Sequence, residues 1–369
     1  MKIALVAPLV TPIAQPFVGG SQAVVAALAR GLTQRGHDIT LFARTGSHVP
    51  GVQTELLNVP DSVRPSSFSS PGQISQADEG FFAQAHIFLE LFLRLRQQQF
   101  DLIHAHAFDW PAFTCSALVQ TTPIAHTIHL PAVAAEINAA LHIIHQQDHP
   151  LHLVTVSQAC ARTYAPYTPI DDVIYNGLDL AELPFSPQLS ERAPLLFAGR
   201  ITPEKGVEAA IAIALQSHHP LLIAGGLYDQ RYYSERIKPV LDRAGKLITY
   251  LGELEHRELW QLMGRCKGLL FPIDWDEPFG LAAIEAMATG TPVIAFKRGA
   301  MAEVVLDRQT GFLVEPGGIE QAVQAVYRLH TISRQRCRAH VEQHFSLQRM
   351  LDEHERVYGM MVQENPQRR

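Results

Sequence analysis

Glu277 and Glu285 stand eight positions apart in FPIDWDEPFGLAAIEAMATGTPVIAF, residues 271–296. The first sits beside a Pro-Phe-Gly turn, the second inside an apolar helical pattern. Two nearby carboxylates can act as an acid and base pair, or one can be the nucleophile of a double displacement. They serve equally well to accept hydrogen bonds from hydroxyl groups. The residues between them bear on that choice. Leu281, Ile284 and Met287 follow helical spacing, which predicts a helix opening near Gly280. A helix start presents unpaired backbone N–H groups, and glycine lets an anion come close to them. Two carboxylates bracketing an anion site describe a ligand with hydroxyls on both sides of its phosphates, as a sugar nucleotide has. Taken alone, the blander alternative is a helix-dipole carboxylate at Glu277 and a solvated Glu285.

AGRITPEKG adds charge of the opposite sign. Arg200 leaves a short apolar run and Lys205 follows five residues later, just before a helical pattern that begins near Val207. Either cation alone is most simply a solvated surface group. Two of them at a strand exit beside a helix start make a site suited to a diphosphate.

The elements that must carry these groups are legible as a rhythm. KIALVAP, SQAVVAALARGLTQRG, DITLFA, DLIHAHAF, PIAHTIH and LHLVTVS alternate short apolar runs with helical patterns, and the alternation resumes with PLLFAGR after the proline cluster Pro184, Pro187 and Pro194. This βαβ rhythm predicts parallel sheets covered by helices. The chain has 369 residues, more than one hydrophobic core ordinarily spans. The expectation is therefore α/β, with two doubly wound domains joined near residue 190. Ligands bind beyond the carboxyl ends of such strands. That rule singles out Gly19 and Gly20, His106 with Asp109, and His129 in the first half. In the second half it singles out Arg200, Lys205, Gly225, Gly226 and the stretch around Glu277.

Composition narrows the partners. Up to Pro187 there are 8 Lys+Arg against 14 Asp+Glu, and the remainder holds 22 of each, so the formal charge of −6 belongs to the front half. An acidic front half supplies neither the cationic surface that nucleic acid demands nor a polybasic patch for anionic lipid. Cys115, Cys160, Cys266 and Cys337 form no CxxC pair, which argues against a disulfide framework or a zinc ribbon and fits a reducing compartment. No apolar run reaches a membrane-spanning length, and the opening MKIALVAPLV reads as a first strand rather than a signal peptide. The localisation expected is cytoplasmic. His104 and His106 share one strand face, and His142, His145 and His149 fall at helical spacings. With no HExxH pattern and no cysteine beside them, no metal site is expected.

EPFGLAAIEAMATGTPVIA resembles the signature of the retaining GT-B glycosyltransferases, the large family that includes sucrose synthases, bacterial mannosyltransferases and lipopolysaccharide glucosyltransferases. Its two glutamates match Glu277 and Glu285. VGGSQ, HTIHL, VSQ, YNGLD, AGRITPEKG, YLGEL and the helix after HFS extend the likeness in the same order along most of the chain. The resemblance implies a GT-B fold: two Rossmann-like domains facing across a cleft, with residues 1–187 binding the acceptor and 188–345 the nucleotide sugar. Residues 346–369 would form a helix crossing back to the first domain.

It also implies roles. Arg200, Lys205 and the amides of Phe279, Gly280 and Leu281 would stabilise charge developing on the donor's diphosphate, and no metal or other cofactor would be needed. Glu277 would hold hydroxyls of the transferred sugar, in preference to the nucleophile role, and Glu285 the ribose. Gly19 and Gly20 would close on the phosphates, Gly225, Gly252 and Leu254 would line the donor, and backbone from Tyr250 to Leu254 would meet the base. His129 would face the sugar and steady the reaction centre, with His106 and Asp109 towards the acceptor. The acidic first half favours a small soluble acceptor, without nucleic acid or strong membrane association, and the chain is expected to be a monomer or weak homodimer. A dinucleotide-dependent dehydrogenase would need GxGxxG directly after the first strand, where LVTPIAQPFVGG stands instead. A glycan phosphorylase would need a pyridoxal-binding lysine site, and no such feature is seen. A sugar-nucleotide 2-epimerase, or a non-catalytic binding relic, are the alternatives on the same fold.

Overall fold

The computed structural model describes residues 1–63, 79–147 and 151–364. The chain divides into two compact units, Met1–Gly177 with Leu347–Arg369, and Leu178–Ser346.

The first unit is built on seven parallel strands: β1 (Lys2–Val6), β2 (Asp38–Arg44), β3 (Gln53–Leu57), β4 (Leu102–Ala105), β5 (Ile124–Ile128), β6 (Leu151–Thr155) and β7 (Asp172–Val173). Their spatial order is β3-β2-β1-β4-β5-β6-β7. The order in which strands are added reverses between β1 and β4, the switch point at which doubly wound sheets bind ligands. The central strands are buried on both faces, which is why they read as apolar runs without alternation. Phe42, Phe88, Phe92, Leu95 and Ile103 form one core cluster; Phe113, Ile137, Leu141 and Tyr164 form another.

The second unit repeats the scheme with β8 (Leu195–Ala198), β9 (Leu221–Ala224), β10 (Ile248–Gly252), β11 (Gly268–Phe271), β12 (Val293–Phe296) and β13 (Gly311–Val314), in the order β10-β9-β8-β11-β12-β13. Its switch point lies between β8 and β11. Arg200 and Glu277 follow those two strands.

One boundary differs from the sequence expectation, and the other agrees with it to within a residue. The first unit ends at Gly177, not at Pro187. Residues 180–194, with their prolines, read as linker, yet the backbone from 178 to 186 is tied into the second unit. Leu178 donates to Phe345 O at 2.9 Å, Ser186 donates to Thr289 O at 3.1 Å, and Arg338 donates to the carbonyls of Leu180 and Leu183. Arg334 does the same from deeper inside. Only 8% exposed, it donates to Ser186 O at 2.7 Å, Cys266 O at 3.1 Å, Gly264 O at 2.7 Å and Thr291 Oγ1 at 3.0 Å. The other boundary is Ser346/Leu347, after which the helix Leu347–Glu364 packs in the first unit. Arg35 clasps that helix through Asp352 at 2.7 Å, Glu355 at 2.5 Å and Gln348 Oε1 at 2.6 Å.

Candidate active site

The site of the second unit assembles at the exits of β8 and β11. After β8 the chain makes a short 3-10 turn, Pro203–Lys205, and then the helix Val207–Ser217. Gly206 joins the two with φ 75°, and a Cβ there would sit 1.9 Å from Pro272 O, so only glycine lets this turn press against the exit of β11. That approach brings Lys205 to Glu277. Lys205 Nζ donates to Glu277 Oε2 at 2.8 Å, with the two side chains 15% and 13% exposed. The Trp275 indole donates to the same oxygen at 2.7 Å, and the ammonium lies 5.2 Å from the Trp275 ring centroid.

The loop beneath is fixed from both ends. Asp274 N donates to Glu204 O at 2.9 Å, Arg298 reaches the Asp274 carboxylate at 2.5 Å, and Ala300 N donates to Glu277 O at 2.9 Å. Gly299 makes that last bond possible. Its φ is 52°, and a Cβ would lie 2.2 Å from Glu277 O.

The expected helix start is present. Gly280 is the N-cap of the helix Leu281–Ala288, with no side-chain cap and no acid in the first turn. An uncapped first turn carries unpaired amides and the positive end of the helix dipole. Phe279 wedges the turn in place, 2% exposed and edge-on to Phe345 at 5.7 Å. Glu285 lies within this helix, half-buried, and burial pushes its carboxyl up to about 7 against the opposing pull of the Trp260 side chain. Arg200 is half exposed, with its guanidinium 5.4 Å from the Tyr228 ring centroid and 3.8 Å from Glu204. Gly225 ties the neighbouring exits together, donating to Gly252 O at 2.8 Å and accepting from Tyr250 Oη at 2.8 Å. Gly226 accepts from Ile201 N at 2.9 Å. Leu227, Tyr228 and Leu251 form an exposed apolar shelf beside these glycines, and Leu254 is partly exposed further along.

The first unit gathers histidines instead. His104 is fully buried, with Nδ1 2.6 Å from Tyr358 Oη and Nε2 2.7 Å from Thr127 Oγ1. His106 is 2% exposed and its Nδ1 lies 3.1 Å from His129 Nε2. Its Nδ1 is thus engaged by His129, and its Nε2 is buried without a hydrogen-bond partner among the described residues. His126 bonds Ala107 O at 2.7 Å, and His354 bonds Met350 O at 2.8 Å. Desolvation holds His126 down to about 4, His129 to about 3 and His354 to about 4, and keeps His104 and His106 well below the usual imidazole range. Asp109 N-caps the short helix Trp110–Ser116, and burial pushes its carboxyl up to about 6, opposed by a hydrogen bond with Gln84. Gly19 N-caps the helix Gly20–Gln34, which likewise has no side-chain cap and no acid in its first turn.

Of the remaining histidines, His142 bonds Tyr167 O and Gln146, His145 lines a small cavity with Leu141 and Leu153, and His149 lies outside the described residues. Among the described residues no group of three or more His, Cys, Asp or Glu is arranged to hold a metal, and no helix is long and apolar enough to cross a membrane.

Sequence reasoning missed Trp275, Trp260, Arg334 and the His104–Tyr358 bond. Trp275 carried the one available signal, lying two residues before Glu277.

Comparisons with known proteins bear on what this arrangement is. Residues 181–343 match the family described as Glycosyl transferases group 1, and residues 18–182 match Glycosyltransferase Family 4. The chain is 29% identical over 359 residues to a glycogen synthase of Mycobacterium tuberculosis, covering 87% of this chain and 86% of that protein. It is 28% identical over 362 residues to a D-inositol 3-phosphate glycosyltransferase of Nocardia farcinica, covering 85% and 78%. Among solved structures, sucrose-phosphate synthase from Thermosynechococcus elongatus superposes with a TM-score of 0.78 at 20% identity, over 98% of this chain and 100% of that one. Anabaena Alr3699/HepE in complex with UDP-glucose gives 0.74 at 18% identity, over 98% and 100%. The two family matches join end to end along the two units, and both sheets have the Rossmann strand order; the chain belongs to the group 1 glycosyltransferases of GT-B fold.

Proposed function

We propose that this enzyme transfers a sugar from a nucleoside-diphosphate sugar to the hydroxyl of a small soluble acceptor, with retention of anomeric configuration and without a metal. The observation that carries the reading is Lys205 and Glu277 joined at 2.8 Å beside the uncapped helix start at Gly280. In that reading the diphosphate leaves as the anomeric bond breaks. Lys205, Arg200 and the amides of Phe279, Gly280 and Leu281 receive the charge that grows on its oxygens. Preorganised donors of this kind are usually the largest catalytic contribution. The acceptor oxygen bonds to the anomeric carbon on the face the diphosphate vacates, and its proton passes to the departing phosphate oxygen.

Glu277 accepts from hydroxyls of the sugar, and Glu285 from the ribose. The shelf of Leu227, Tyr228 and Leu251, with Gly252 and Leu254, is assigned the base. The first unit is assigned the acceptor, with His129 and Asp109 as its polar groups and the turn at Gly19 and Gly20 as a further phosphate contact. A UDP-sugar is the first donor to try, because HepE is solved with UDP-glucose.

The test is an assay with UDP-, ADP- and GDP-sugars against a panel of small polyols, sugars and sugar phosphates, with NMR of the product anomer and a chelator control. Retention, unaffected by chelator, is the expected result; inversion or a chelator-sensitive rate contradicts it. Lys205→Ala should lower turnover by about 10²-fold, the typical cost of losing one preorganised donor.

A further inference from the structure

We propose that Trp275 is a positioning residue that keeps Glu277 aimed at the transferred sugar while Lys205 serves the diphosphate. The inference rests on the reading of Lys205 and Glu277 given above. Both donors to Glu277 fall on one oxygen: Trp275 Nε1 lies 2.7 Å and Lys205 Nζ 2.8 Å from Oε2. Oε1 is the acceptor that remains for a sugar hydroxyl.

A diphosphate competes with Oε2 for the same ammonium, since a flexible lysine swings readily between anions. Once Lys205 turns to the phosphates, the indole N–H is the donor left on Oε2, and it fixes the carboxylate's rotation. The indole itself is well held. Its ring carries the Lys205 ammonium on one side, and its backbone belongs to the segment Asp274–Glu277, pinned by Glu204 O, Arg298 and Ala300 N. Those anchors do not involve the indole, so a substitution there leaves the loop in place.

The division of labour is then specific. Lys205 acts on charge, Trp275 on the angle at which Glu277 meets the sugar.

The test uses the full chain and Trp275→Phe, which keeps an aromatic ring beside the ammonium and removes the N–H together with the second ring. Calorimetry measures the affinity for a nucleotide sugar and for its nucleoside diphosphate, with the nucleotide sugar chosen by thermal protection among UDP-glucose, ADP-glucose, GDP-glucose and GDP-mannose. The variant should bind the nucleoside diphosphate within twofold of wild type, while the extra affinity contributed by the sugar disappears. Turnover should fall about tenfold, less than the roughly 10²-fold that a 1 Å misplacement of reacting groups costs. Discrimination between epimers of the donor sugar should fall with it.

An unchanged sugar contribution and unchanged turnover in Trp275→Phe overturn the proposal. So does a parallel loss of nucleoside diphosphate affinity and melting temperature, which marks a merely structural indole. If the wild-type protein gains affinity from the sugar in a Trp275-dependent way but transfers nothing, the transfer reading fails and the positioning role stands. If the wild-type protein gains no affinity from the sugar, the positioning role is overturned.

Discussion

The two units share one strand order and differ in what they place inside it. At the switch point of the second unit, acids pair with bases, Lys205 with Glu277, and Arg298 with Asp274. Behind them a buried guanidinium, Arg334, ties four backbone and hydroxyl acceptors together. The corresponding region of the first unit is organised by neutral imidazoles: His104 between Tyr358 and Thr127, and His106 against His129. A guanidinium keeps its charge at any working pH, whereas an imidazole near neutrality holds or releases a proton according to its surroundings. The same topology thus carries a hub indifferent to pH in one unit and a hub that needs neutrality in the other.

Removing the guanidinium should have the largest effect. Arg334→Ala deletes a buried side chain that makes four hydrogen bonds and leaves its acceptors unpaired, a cost of about 4 kcal/mol. Denaturant melts should show the loss, and hydrogen exchange should locate it in β11 and the helix Leu281–Ala288 with β4 unaffected. Equal deprotection of both units would break the comparison.

Acidification should act on the other hub. In the folded protein His126, His129 and His354 are held down to about 4, 3 and 4, against about 6.5 in an unfolded chain. Between those values the unfolded state binds more protons. Stability is therefore complete above pH 6.5 and falls as pH drops towards 4. Asp109, pushed up to about 6, and Glu285, pushed up to about 7, work in the opposite sense and offset part of the loss. In the second unit burial also holds two imidazoles below their usual range, His256 and His340. We expect a net loss of roughly 3 kcal/mol between pH 7.5 and 5, read as exchange in β4, β5 and the helix Leu347–Glu364 ahead of the second unit. Simultaneous loss in both units would contradict it.

The smallest effect belongs to Glu285, whose sign is reversed. With a folded value of about 7 against about 4.5 unfolded, the folded state binds more protons in that interval. Its contribution is complete below pH 4.5 and is lost as pH rises through 7. Glu285→Gln should therefore stabilise the protein at pH 8 and change little at pH 5. Thermal melts at the two pH values sharpen the contrast between the units, and a stabilisation equal at both would remove Glu285 from the account.

Much of the site was legible because its positions are set locally. A strand of four or five apolar residues, a glycine or proline, and a helical repeat together fix where a strand exits and where a helix begins. Gly280 became the N-cap, and Val207 the first residue of its helix, as the spacing predicts. The domain boundary was misread for the converse reason. Pro184, Pro187 and Pro194 mark irregular backbone but do not say what that backbone is bonded to. Here Arg334 and Arg338, about 150 residues later, decide it.

By itself, then, the sequence determined the alternation of strands and helices, the two sheets, and the placing of Arg200, Lys205, Glu277 and Glu285 at strand exits and a helix start. Hydrophobic period and turn chemistry act over a few residues, so they are written in order along the chain. Only the tertiary structure decided the pairings: Lys205 and Trp275 on one oxygen of Glu277, His106 on His129, and His104 on Tyr358 across 254 positions. Those depend on strand order and on how crossovers pack, which bring together residues that share no local pattern.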